Sequence, residues 1–192
     1  MILPIVAFGD PILRKETEPL TKNHKNLDIL IADMWETMYN AKGVGLAAPQ
    51  IGKNLKVFVI DAKPFAEDES LTKEQRKILE DFKHVFINPE IIEEDGKEWS
   101  FNEGCLSIPD VREDVSRLER ITISYQDQNF ISHTTQLDGL AARIFQHEYD
   151  HIEGILFTDK ISTLKKRLLK KRLLNITKGK IETDYKMRFP KK

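Results

Sequence analysis

Five consecutive residues, His147-Glu148-Tyr149-Asp150-His151, constrain this chain more than any other stretch of it. Histidines four positions apart lie on one face of an α-helix, so the two imidazoles can converge on one metal ion. Leu140 and Ile144 continue that face one and two turns earlier, which points it into a core and not into water. Glu148 sits about 100° around the helix from its neighbour. Its carboxylate is therefore expected beside the ion's open position, as a proton carrier and not as a ligand. The bland alternative is a pair of core histidines. It requires a hydrogen-bond partner for each ring and explains neither the intervening Glu nor the chain's single cysteine.

Two histidines do not complete a catalytic centre, which takes three protein ligands and keeps a fourth position for water or substrate. A metzincin-type extension would place a histidine at position 157, where this chain has Phe157. A thermolysin-like site would draw a carboxylate from the next helix, and residues 161–176 contain no acid. Cys105 remains. A lone cysteine cannot close an intramolecular disulfide, so its thiol is packing, reactive or a ligand. Beside H-E-x-x-H we read it as the third ligand. Two other readings of the same residues stay open at this point. One is a zinc endopeptidase; the other is a structural zinc domain, closed by His84 or His133 as fourth ligand, whose basic arm binds RNA.

The surrounding pattern is that of an α+β domain, with antiparallel strands packed around the central, metal-binding H-E-x-x-H helix. Leu27, Leu30, Ile31, Met34, Trp35 and Met38 recur at helical spacing and end at Gly43. Residues 43–50 read as a shaped loop feeding a strand at 55–61. The polar stretch at about 62–82 reads as an insertion holding a short surface helix, because Thr72 and Gln75 have capping-box spacing. Strands are expected at 84–88, 90–94 and 97–101, the last two joined by a hairpin at Asp95-Gly96, and at 119–126 and 130–137. Helices are expected over 140–152, stopped by Gly154, and over 161–176, with an edge strand in the last residues.

With 192 residues, 40% hydrophobic and 32% charged, the chain can bury a core of its own, and we expect a single domain over 1–192. No apolar run approaches the roughly 18 residues of a membrane span, and the start lacks the features of a signal peptide. We read the protein as cytoplasmic and monomeric. The net charge of -1 hides a basic C-terminal helix and tail at about 160–192, with 13 Lys/Arg against two acids. In the helix Lys165, Lys166, Arg167, Lys170, Lys171 and Arg172 alternate with Leu164, Leu168, Leu169 and Leu173, and the leucines are expected to face the domain. Exposed bases of this density suit an anionic partner as well as plain solubility.

Three separated motifs occur in the order found in peptide deformylases: Gly43-Val44-Gly45-Leu46-Ala47-Ala48-Pro49-Gln50, Glu103-Gly104-Cys105-Leu106-Ser107 and Gln146-His147-Glu148-Tyr149-Asp150-His151. The chain resembles that family from Gly9-Asp10-Pro11-Ile12-Leu13-Arg14 to about residue 160. The resemblance implies hydrolytic removal of formate from N-formylmethionyl nascent polypeptides. It assigns Cys105, His147 and His151 as metal ligands, Glu148 as acid and base, and Gln50 with the Leu106 backbone N–H as donors to the developing oxyanion. It implies Fe2+ in the cell, with Zn2+, Ni2+ or Co2+ able to stand in. By the same likeness Val44, Phe101, Ile144 and the side of His147 wall a methionine pocket, while Glu103 and Arg112 orient backbone near its mouth. Gly43 and Gly45 would let the loop approach an extended peptide closely. Since such substrates emerge from the ribosome, docking of the basic helix there is a further expectation.

Overall fold

The computed structural model describes residues 1–190, so the last two residues of the expected tail lie outside the described residues. The elements, in chain order, are β1 (Ile5–Val6), α1 (Leu27–Asn40), β2 (Gly45–Ala47), β3 (Val57–Asp61), α2 (Lys73–Asp81), β4 (Lys83–Cys105), β5 (Ile108–Gln126), β6 (Ser132–Asp138), α3 (Gly139–Ile152), α4 (Thr163–Thr177) and β7 (Met187–Arg188). Strands β2 to β6 form one antiparallel sheet in sequence order, and β1 pairs with β7 in parallel.

The period-2 alternation of β3 determines which helix lies on which face. Val57 and Val59 pack with Leu30, Ile31, Met34 and Met38 of α1, while Phe58 and Ile60 pack with Ala142, Ile144 and Phe145 of α3. The sheet is thus held between two helices, and α3 is buried on nearly every side. Its rings interlock: Phe145 lies edge-on to Phe58 at 5.1 Å and to Phe86 at 5.0 Å. The end of α3 is pinned by Gly154, whose φ of +71° leaves the right-handed helix. A Cβ there would meet the backbone of Arg14 at 2.8 Å, so only glycine lets the Pro11–Arg14 turn seat against the helix end.

Several expectations are corrected. Asp95-Gly96 is no hairpin: β4 runs through it, and a register shift between Asp95/Glu98 marks a bulge with Gly96 at φ +84°. The actual hairpin connection is Leu106-Ser107, since Cys105 pairs with Ile108. β5 begins at Ile108, well before the expected residue 119, because its outward charges find partners and its Val111 and Val115 are buried. Residues 45–47 form an edge strand inside what reads as a loop.

The insertion does contain the expected capping box, with Thr72 Oγ1 accepting from Gln75 N at 3.2 Å and Gln75 Oε1 accepting from Thr72 N at 2.9 Å. In α4 only part of the leucine pattern turns inward. Leu169, Leu173 and Ile176 pack against the domain, while Leu164 and Leu168 are 67% and 74% exposed.

Candidate active site

The site forms where the β4–β5 hairpin turn meets the inner face of α3. Cys105 stands at the end of β4, and its Sγ lies 3.2 Å from His151 Nε2. Ligand atoms of Cys105, His147 and His151 all fall within 4.8 Å of one another. The two imidazoles, one turn apart on α3, are set nearly at right angles with centroids 5.1 Å apart. Neither His84 nor His133 belongs to this group: His84 packs edge-on to Phe82, and His133 stacks on Tyr125 and bonds Asp127.

His147 is oriented from behind. Its Nδ1 is 2.9 Å from Glu103 Oε2, which leaves Nε2 for the centre. The family likeness has Glu103 orient backbone near the mouth. Its carboxylate is instead buried, with both oxygens also bound by Arg117 at 2.7 and 2.9 Å and one by Arg143 at 3.0 Å. Arg117 reaches on to Asp150 at 2.7 Å. Burial alone would raise the Glu103 carboxyl pKa; the hydrogen bonds from Arg117 and His147 outweigh that and hold it far below the ordinary carboxylate range. A carboxylate kept charged behind an imidazole raises that ring's basicity as a ligand. One thiol and two converging imidazoles are a donor set that suits Zn2+ or Fe2+, so these residues fit a metal ion.

Glu148 is buried beside them, and Oε2 has no hydrogen-bond partner. Burial pushes its pKa up to about 7, with the Glu103 charge adding to the rise and His147 opposing it. Such a carboxyl can both take and give a proton near neutrality.

Gln50 sits in the Ala48–Ile51 turn with its amide orientation fixed. Its Oε1 accepts from Ala47 N–H at 2.8 Å, so Nε2 points to the centre, 3.6 Å from Cys105 Sγ and 3.5 Å from Ser107 Oγ. Leu106 is held in the turn by Tyr185, whose hydroxyl donates to its carbonyl at 2.8 Å.

These groups open onto a cleft of about 640 Å³. Gly43, Val44, Gly45, Gln50, Phe101, Glu103, Cys105, Leu106, Arg112, Ile144, His147 and Glu148 all line it. Arg112 stands at the rim, its guanidinium bound to Asn102. Sequence reasoning missed Phe65 of the insertion, Arg143 and the tail residues Glu182–Tyr185, which line the cleft too. It missed as well the Arg117–Asp150 pair; the acid inside the H-E-x-x-H segment was a usable signal for a buried basic partner.

A thiol and two imidazoles around one point, with a proton-accepting carboxyl beside them in a cleft, define a mononuclear metallohydrolase site. A family model described as "Polypeptide deformylase" matches residues 2–167. A peptide deformylase of Christiangramia forsetii is 62% identical over 190 residues, 99% of this chain and 97% of that protein. One from Flavobacterium johnsoniae is 59% identical over 98% of this chain and 96% of its own length. The solved peptide deformylase of Thermus thermophilus superposes with a TM-score of 0.79 at 37% identity, covering 93% of this chain and 99% of that one. The chain therefore belongs to the peptide deformylase family. It is a metal-dependent hydrolase that removes the formyl group from nascent polypeptides.

Proposed function

We propose that Cys105, His147 and His151 hold one divalent ion, Fe2+ in the cell, and that Glu148, Gln50 and Leu106 carry the chemistry around it. The carrying observation is the convergence of the three ligand atoms beside the buried, unpartnered Glu148 carboxyl in a single cleft. When bound, the ion supplies Lewis acidity that makes water nucleophilic at neutral pH. Glu148 takes a proton from the attacking water and delivers it to the departing amine as the formyl C–N bond breaks. Charge growing on the formyl oxygen is met by Gln50 Nε2–H, whose amide is held by Ala47 N–H, and by the Leu106 backbone N–H. Because Gln50 is neutral, it stabilises that oxygen without competing for the ligands.

The peptide lies along β2, the edge of the sheet, where Gly43 and Gly45 let its backbone come close. Val44, Phe101 and Ile144 receive the methionine side chain, and Arg112 stays at the rim. The chain acts as one domain, a cytoplasmic monomer; no helix among the described residues is long and apolar enough to cross a membrane. The basic α4 docks on ribosomal RNA. Support comes from Lys170, Lys171 and Arg172, which stand exposed next to the uncovered Leu168, whereas Lys165 is engaged by Glu113 and Lys166 by the Asp159 carbonyl.

The test is formate release from formyl-Met-Ala-Ser by metal-replete protein, with an unformylated internal peptide as control. Turnover of the first alone is expected; cleavage of the second would restore the endopeptidase reading. Metal analysis of protein purified without air identifies the ion, and a zinc-only preparation with full activity would remove iron. For docking, Lys170→Glu with Lys171→Glu should leave tripeptide turnover intact and weaken salt-sensitive co-sedimentation with ribosomes.

A further inference from the structure

The polar 62–82 stretch is anchored far more firmly than a surface insertion needs to be. Its two ends are tied by Ala62 N–H donating to Phe82 O at 2.9 Å. Ala66, Leu79 and Phe82 are buried in the same core cluster as Phe58, Phe86 and Phe145, with Leu71 and Phe65 packed against it. Phe65 N–H also donates to Ala62 O at 2.9 Å, which sets the turn carrying this ring. Phe65 is only partly buried, and its open side lines the cleft.

The ring belongs to a continuous series of aromatic contacts, of which Phe65 and Phe101 line the cleft. Phe65 meets Phe101 edge-on at 6.1 Å, Phe101 meets Trp99 at 5.5 Å, and the Arg143 guanidinium covers Trp99 at 4.4 Å. Arg143 cannot swing away, since its terminal nitrogens donate to Glu103 and to the carbonyls of Val115 and Trp99. Val44 and Ile144 line the same cleft and supply its aliphatic surface. A pocket walled by fixed rings and branched aliphatics selects by length and width of an apolar side chain.

We propose that Phe65, delivered by the insertion, is a specificity-determining residue: it closes the pocket for the first side chain of the formylated peptide. This rests on the reading of the cleft given above. The Phe65 ring contacts Phe101 and carries no group that could move a proton, so its effect falls on binding of that side chain and not on the proton transfers.

The experiment compares kcat and KM for formyl-Met-Ala-Ser, formyl-norleucyl-Ala-Ser and formyl-Ala-Ala-Ser in the unmodified holoenzyme, Phe65→Ala and Phe65→Leu, with metal content and melting temperature measured for each. Phe65→Ala should lose about tenfold in kcat/KM on the two long side chains, mainly through KM, and little on formyl-Ala. The Met-to-Ala preference then shrinks by about the same factor, and Phe65→Leu recovers part of it. Should Phe65→Ala not fold, the same ratio in Phe65→Leu decides. An unchanged ratio in a folded, metal-loaded variant overturns the proposal while leaving the deformylase site standing. Absence of formate release from every substrate by the unmodified holoenzyme would overturn both.

Discussion

Gly45 and Glu148 are fitted against one another so closely that a Cβ at position 45 would lie 2.3 Å from Glu148 Oε1 and 2.7 Å from its Cδ. The flexibility of a carboxyl end does not rescue this, because the contact continues to Cγ at 2.8 Å. Gly45→Ala should therefore displace the proposed proton carrier without touching a proposed ligand. Steady-state assays are expected to show kcat down about a hundredfold, with metal content unaltered. A kcat near that of the unmodified enzyme would mean that Glu148 can act from another position.

The division of labour on α3 and the hairpin turn separates two substitutions. Glu148→Ala should keep the ion and lose about a hundredfold or more in turnover, since the role proposed for the residue is to move protons. Cys105→Ala removes a proposed ligand and should lose the ion itself. Elemental analysis decides: a metal-free Glu148→Ala beside a fully loaded Cys105→Ala would invert the roles.

Acid sensitivity should trace to Glu103. Its folded pKa is depressed from the ordinary value of 4.5, so the charged form stabilises the fold above that value. That contribution is lost as pH falls below about 5 and proceeds through the folded value. Glu103→Gln leaves Arg117 and Arg143 short of a counter-charge and should cost about 3 kcal/mol at pH 7. The variant's urea-unfolding stability should then fall less steeply between pH 5 and 3 than that of the parent. Parallel curves would assign the acid sensitivity to other carboxyls.

Tyr185 reaches 79 residues along the chain to hold the Leu106 carbonyl. Removing that one hydrogen bond with Tyr185→Phe should loosen the turn that holds Leu106, the proposed oxyanion donor. The expected loss is about fivefold in kcat, equivalent to about 1 kcal/mol, with KM little changed. Stopped-flow or initial-rate data showing a pure KM effect would place Tyr185 in substrate binding instead.

Local chemistry was what the sequence displayed most clearly. The H-E-x-x-H face, the Thr72/Gln75 capping box and the stop at Gly154 are short-range arrangements, written in neighbouring residues. Asp95-Gly96 misled because the same glycine conformation serves a bulge or a turn, and only the partner strand, where Arg120 and Leu118 pair with Asp95 and Glu98, distinguishes them. Nothing in the residues beside Arg117 and Arg143 signals burial, because Glu103 and Asp150 are brought to them only across the fold. Phe65 was hidden for a similar reason: its polar neighbours describe the outside of the insertion, and its role comes from a contact with Phe101, 36 positions away.

The pairing of Ile5 with Met187 bears on how the cleft is completed. Cys105, His147 and His151 come together through a hairpin and one helix, contacts of modest sequence separation. The β1–β7 pair joins residues from opposite ends of the chain, and loop closure over such a span is the slow, entropically costly kind. Tyr185, two residues from β7, is carried into place with it. A chain clipped ahead of residue 180 would thus retain every proposed ligand and still have a cleft open along the Glu182–Tyr185 side. The proposed ligands and the Glu182–Tyr185 side of the cleft are in that sense supplied by contacts of very different reach along the chain.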